Sequence, residues 1–145
     1  MKKFLLNLLA LGFFLVSCNP MSENKLVVVT CADNPPFEYI KKGEIVGFDI
    51  DLIKEIGRKL GKEVEIQNID FSGLILALMN NRVEVAIAAL SPTPARAKYV
   101  DFTKSYMEAD MAALFRDNLN IQNEDDLKSK ILGAQFGSTW ADYAR

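Results

Sequence analysis

The 145-residue chain contains no histidine. Imidazole metal ligation and a serine–histidine catalytic pair are therefore excluded. Only two cysteines are present, Cys18 and Cys31, so at most one disulfide is possible. There is no excess of positive charge: 17 Lys and Arg stand against 19 Asp and Glu, a net charge of −2. Nucleic-acid binding draws most of its affinity from basic residues facing phosphates, so that class is not indicated. No internal repeat or low-complexity block is visible. What remains is half hydrophobic and a quarter charged, the ordinary balance of a folded globular chain.

The beginning of the chain speaks to compartment. Met1, Lys2 and Lys3 form a short positive segment, and residues 4–16 are apolar except for Asn7. That run is short for a bilayer span and a polar chain follows it, which favours a signal peptide over an anchor helix. It closes on Leu15-Val16-Ser17-Cys18, which resembles a bacterial lipobox, where the cysteine becomes the acylated N-terminal residue. The expectation is a lipoprotein signal peptide over residues 1–17, lipidation at Cys18 and a polar tether over residues 18–24. Acylation leaves Cys31 a lone thiol. An ordinary secretory peptide with an incidental cysteine leaves a Cys18–Cys31 bridge open. Removing residues 1–17 takes away two lysines and no acid, leaving 15 basic against 19 acidic residues, a net charge of −4.

Beyond the tether, strand and helix patterns alternate. Residues 26–30 are apolar and β-branched, the mark of a buried strand. Residues 37–40 and 44–46 flank Lys41-Lys42-Gly43 as a hairpin. Leu52, Ile53, Ile56 and Leu60 have helical spacing over residues 49–60, with Gly61 as the stop. Val64 and Ile66 alternate with polar neighbours as a strand. Residues 74–79 read as a short buried helix and 83–90 as a buried strand. Thr93-Pro94 offers an N-cap and a first-turn proline for a helix over about residues 94–99. Residues 106–115 read as an extended crossover, 125–130 as one or two helical turns and 131–135 as a strand. Ser138 caps a last helix that runs on to Arg145. The order argues for an α/β domain with a largely parallel sheet.

Three stretches carry a resemblance. Asn34-Pro35-Pro36-Phe37-Glu38-Tyr39 is followed by Gly47-Phe48-Asp49-Ile50-Asp51-Leu52; Phe71-Ser72-Gly73-Leu74-Ile75 comes next; then Ala88-Ala89-Leu90-Ser91-Pro92-Thr93-Pro94-Ala95-Arg96 leads to Val100-Asp101-Phe102-Thr103. In this order and spacing they resemble the extracellular solute-binding proteins of family 3, the amino-acid-binding components of ABC importers. The resemblance covers residues 25–145. It implies a two-lobed flytrap fold, with lobe 1 at residues 25–115 and the start of lobe 2 at 116–145. It implies an amino-acid ligand, ABC permease subunits as partners, a monomer, and neither cofactor nor catalysis.

The implied site follows position by position. A carboxylate taken out of water needs a bidentate cation and N–H donors, and Arg96 matches the family's carboxylate clamp. Ser91 matches the residue that holds the same carboxylate, and Ala89 the backbone alongside it. Ala88 matches a carbonyl that receives the ligand's ammonium. These residues also read as the end of a core strand, which is where ligands of open α/β sheets bind. Phe71 matches the aromatic stacked on the ligand side chain, or is a core residue beside Leu74. Asn34 stands where the family often has an aromatic second wall. Cys31 stands where members binding cationic side chains carry an acid, with Asp33 and Glu38 as nearby substitutes. Thr139, opening the last helix after Gly137-Ser138, is expected to contact the carboxylate from lobe 2.

The resemblance implies a chain of well over two hundred residues, against 128 after residues 1–17. The expectation is that this chain, with lobe 2 only begun, binds weakly or not at all. A cyclohexadienyl-dehydratase-like enzyme or a sensor ectodomain uses the same fold. The enzyme needs a pocket acid or base, for which only Asp33, Glu38 or Glu84 are to hand. A sensor or murein-cleaving protein carries a further domain.

Overall fold

The computed structural model describes residues 24–145. The signal peptide expected over residues 1–17, the lipidation expected at Cys18 and residues 18–23 of the expected tether lie outside the described residues.

A three-stranded parallel sheet organises the chain. Strand β1 (Lys25–Thr30) lies at its centre, with β5 (Glu63–Asn68) on one side and β6 (Val85–Ala86) on the other. The register runs from Lys25 beside Glu63 to Thr30 beside Asn68, and sets Val28 beside Val85. A strand with parallel neighbours and both faces covered has no solvent side, which is why β1 is almost continuously apolar. Its side chains alternate between two cores. Leu26 and Val28 join Ile53 and Ile87 on one face. Val29 joins Leu74, Val83 and Ala88 on the other. Each of these leucine, isoleucine and valine side chains, fully buried, stabilises the fold by about 1.5–3 kcal/mol.

Helix α1 (Phe48–Leu60) covers the first face. Asp49 and Asp51 in its first turn and Arg58 and Lys59 in its last suit the helix dipole. It stops where expected: Gly61 turns left-handed at φ 67°, and the Lys62 N–H returns to the Gly57 carbonyl at 2.9 Å. Helix α2 (Leu74–Met79) covers the second face, entered through a 3-10 turn at Phe71–Gly73.

A small antiparallel sheet stands beside the first. Strands β3 (Glu38–Lys41) and β4 (Glu44–Val46) form the expected hairpin, with Lys41 opposite Glu44. Lys42 and Gly43 both have positive φ, as a two-residue hairpin turn requires. An unforeseen strand β2 (Asp33–Asn34) pairs with β3, setting Asn34 opposite Glu38. The loop from β2 to β3 is tied to α1, because Phe48 and Asp49 donate their N–H groups to the carbonyls of Pro36 and Phe37. Gly47 lies so close that a Cβ there would overlap the Phe37 carbonyl oxygen.

Four expectations need correcting. The strand over residues 83–90 is laddered only at Val85–Ala86; the chain leaves the sheet at Ala89, which takes φ 43°. The helix over residues 94–99 is a 3-10 turn, Arg96–Lys98, although Thr93 Oγ1 does accept the Arg96 N–H at 3.2 Å. Residues 131–135 form no strand, for no neighbour lies alongside to ladder with them; Ile131 and Leu132 are exposed. The last helix, α3 (Thr139–Tyr143), ends in an Ala144 cap rather than running to Arg145. Over the stretch 125–130 there is a single turn, Glu124–Leu127, opened by an Asn123 capping box. Among the described residues no helix is long and apolar enough to cross a membrane.

Candidate ligand-binding cleft

Strands β5 and β6 leave β1 on opposite sides, so the strand order reverses at β1. The loops beyond the carboxyl ends diverge there and leave a crevice. A cleft of about 630 Å³ occupies it. All seven residues expected from sequence line this one cleft: Asn34, Phe71, Ala88, Ala89, Ser91, Arg96 and Thr139.

Arg96 is its principal cation. Its Nη1 donates to the Ser91 carbonyl at 2.7 Å and its Nη2 to the Gly137 carbonyl at 2.9 Å. The guanidinium carbon stands 5.6 Å from the centre of the Phe71 ring, within cation–π range. Burial lowers the proton affinity of Arg96 and nearby Asp142 opposes that; a guanidinium stays charged regardless. The arrangement holds a planar fork in place through neutral carbonyls, leaving its charge without a carboxylate partner among the described ion pairs.

Phe71 is half-buried against the core of Val29, Leu74 and Ala88, and it also faces the cleft. Ala88 is buried as the last of the strand-like run. The Ala89 N–H is committed to Asp49 Oδ2 at 2.9 Å, so a ligand would meet its carbonyl. Asn34 gives its amide to Glu38 Oε1 at 3.2 Å. Thr139 follows Ser138, whose buried hydroxyl donates to the Gln135 carbonyl and accepts the Ala141 N–H. Gly137, at φ 80°, lets this loop lie against Ser72, where a Cβ would stand 3.3 Å from the Ser72 Cα.

The structure separates the candidate acids. Asp33 is exposed in the cleft, with its carboxylate held by Gln135 Nε2 at 3.0 Å. Glu38 is 1% exposed. Burial, together with the Asp49 carboxyl beside it, pushes its carboxyl up to about 8. Glu84 is remote from the cleft, accepting the Val27 N–H and pairing with Lys62. Cys31 is buried, and burial with Asp33 beside it raises its thiol to about 11. A second recess of about 540 Å³, lined by Cys31, Asp33, Asn68 and Asp70, adjoins the cleft at Asp33.

Asp49, Tyr106 and Gln135 were not foreseen as site residues. Asp49 is wholly buried, and Tyr106 donates its hydroxyl to Asp49 Oδ2 at 2.9 Å while stacking on Phe48. Among the described residues no group of three or more cysteine or acidic side chains is placed to hold a metal.

The cleft thus lies at the switch point of a parallel sheet, with a guanidinium that makes no ion pair among the described residues set over an aromatic wall, the concave setting in which proteins of this architecture hold small molecules. Comparison with known proteins places it further: over residues 26–136 the chain belongs to the bacterial extracellular solute-binding proteins, family 3. It is 42% identical to the arginine-binding extracellular protein ArtP of Bacillus subtilis, over 95% of this chain and 57% of that one. An ancestral arginine-binding protein bound to glutamine matches at a TM-score of 0.80 and 41% identity, over 86% of this chain and 56% of that one. The arginine-bound form of domain 1 from TmArgBP matches at a TM-score of 0.57 and 44% identity, over 59% of this chain and 68% of that one. The chain thus spans little more than half the length of the full-size relatives named. Its fold is α/β, a partial lobe of the two-lobed binding-protein architecture.

Proposed function

We propose that this chain is the ligand-capturing component of an amino-acid ABC importer and that its ligand is an amino acid with a cationic side chain, arginine first. The observation that carries this reading is convergence. Residues from positions 34 to 139 meet in one cleft around a guanidinium that makes no ion pair among the described residues. A ligand α-carboxylate supplies that missing partner, and Arg96 gives it bidentate donors. Ser91 lies beside it, the Ala88 and Ala89 carbonyls are the acceptors for the α-ammonium, and Phe71 is the wall for the aliphatic stem. Asp33 is the acid for a distal cation, because it is accessible where Glu38 is not.

The names of the relatives point the same way. The family is extracellular, which fits a secretory signal over residues 1–17, acylation of Cys18 and a permease partner at the membrane. A single acyl chain holds a protein only marginally, so full lipidation would matter. The cleft belongs to lobe 1, at residues 25–115, with lobe 2 beginning at 116–145 and supplying Thr139. The working unit is a monomer. The reading is of a binding protein without a catalytic step: Glu38, the group most inclined to hold a proton, is 1% exposed although it lines the cleft.

The expectation of weak or absent binding meets a counterweight in the arginine-bound single domain from TmArgBP. Calorimetry across a panel of free amino acids decides. The reading expects arginine to bind ahead of glutamine, and glutamine ahead of glutamate. Preference for an acidic amino acid would overturn the assignment of Asp33, and silence across the panel would overturn the binding role of this chain.

A further inference from the structure

Two buried carboxyl groups, one in the cleft wall and one beside it, are not used by the ligand reading. Glu38, on β3, is 1% exposed, and Asp49, in the first turn of α1, is 0% exposed. No ion pair among the described residues involves either one. Each has one oxygen satisfied. Glu38 Oε1 accepts from the Asn34 amide, and Asp49 Oδ2 accepts from both the Ala89 N–H and the Tyr106 hydroxyl. The other oxygens, Glu38 Oε2 and Asp49 Oδ1, are buried with no donor. The Asp49 N–H donates to the carbonyl of Phe37, the residue before Glu38, which sets the two acids side by side, and Asp49 is among the groups that raise the Glu38 carboxyl.

Two ionised carboxylates cannot sit together out of water without a cation. One proton resolves the conflict, since a carboxyl O–H donates to the facing carboxylate and satisfies both orphan oxygens. Asp49 is the better place for the negative charge, because it already accepts two donors and Glu38 only one. We infer that Glu38 and Asp49 share a single proton in one carboxyl–carboxylate hydrogen bond, and that this pair is the positioning unit for the Ala89 main chain and Tyr106 in the cleft. Ala89 is held at φ 43°, a conformation that a non-glycine residue keeps only when its surroundings impose it. The bond from the Ala89 N–H to Asp49 is that imposition.

The groups facing Glu38 are Asp49 from α1, Asp33 and Asn34 from β2, Cys31 after β1, and Tyr106 from the segment beyond the cleft. None is a cation. Loss of the shared proton therefore sets two charges against each other and frees Asp49 to turn from Ala89. The consequence for a ligand rests on the binding role proposed above; the pair itself does not.

The full chain, carbon-13 and nitrogen-15 labelled, provides the test. In NMR the Glu38 side-chain carboxyl carbon is expected to titrate at about 8, apart from the other glutamates. The Ala89 amide resonance is expected to move with the same midpoint. In Glu38→Gln the amide N–H donates to Asp49 without titrating, so the Ala89 resonance should hold still through that range. Titration of Glu38 with the other glutamates, or an Ala89 resonance indifferent to it, overturns the inference. If Glu38→Gln does not fold, the wild-type titration decides alone. Calorimetry with arginine at about pH 6 and about pH 10 adds the functional arm. Since the ligand's own ammonium also titrates, the expected result is a weakening at the higher value that is larger in the wild type than in Glu38→Gln, and equal weakening in both counts against the pair. Absence of binding at both counts against the proposed function, while the NMR result stands for the pair.

Discussion

Arg96 shows how much one residue's context decides. By composition it is one of 17 basic residues; by position it follows a capping threonine and reaches the Ser91 and Gly137 carbonyls over the Phe71 ring. Its planar fork is what a ligand carboxylate requires, and lysine cannot reproduce it. Arg96→Ala should weaken amino-acid binding by at least about 30-fold, the loss typical of one partner of a desolvated charge pair. Arg96→Lys should recover little of it in calorimetry. Asp33→Asn should act selectively, weakening arginine about tenfold or more while leaving glutamine nearly unchanged. Cys31 is buried with a raised thiol, so its peptide should stay unalkylated in the native chain at neutral pH and label fully once unfolded, as mass spectrometry would read. Arg96, Ser91 and Phe71 were legible in the sequence because they belong to a local motif. Asp49 stood in a motif too, but an acid in a first helical turn reads equally as a response to the helix dipole. Tyr106 and Gln135 gave no signal, since their partners lie 57 and 102 residues away.

Elements were legible where a local signal and the tertiary need agree. Helix α1 has its apolar stripe and its glycine stop, and the β3–β4 hairpin has its glycine turn. The run over residues 83–90 is not a full strand: past Ile87, whose N–H still reaches the Val29 carbonyl, the Ala89 N–H goes to a buried carboxylate instead of a ladder partner. Residues 131–135 have strand-like composition and no strand beside them, and composition alone makes no hydrogen bonds. The joint between the two sheets depends on one glycine. Gly47 has φ 130° and lies against the Phe37 carbonyl, so Gly47→Ala must displace either α1 or the loop that carries Asn34. It should cost about 2–4 kcal/mol in urea unfolding, strain and overlap adding together.

The molecule as a whole is a sheet with two cores, one under α1 and one under α2, and a cleft at the end where its strands diverge. The α/β order was readable because helix and strand periods alternate along the chain. The pairing order β5-β1-β6, which creates the crevice, is a long-range choice that no window of sequence contains. The buried Glu38 links the fold's stability to pH. The folded chain keeps the Glu38 proton up to about 8, whereas an exposed carboxyl releases it near 4.5. Between those values folding takes up a proton, so this group's contribution is complete below the lower value and is lost as pH rises to the upper. Urea midpoints should reflect that decline, and Glu38→Gln should flatten it.

The claim at the centre is that Arg96 captures an amino acid by its α-carboxylate. Calorimetry with arginine beside agmatine, the same molecule without that carboxylate, addresses it most directly. The account predicts binding of arginine, no measurable binding of agmatine, and loss of the difference in Arg96→Ala. Agmatine binding as tightly as arginine, or arginine binding undiminished in Arg96→Ala, would contradict it.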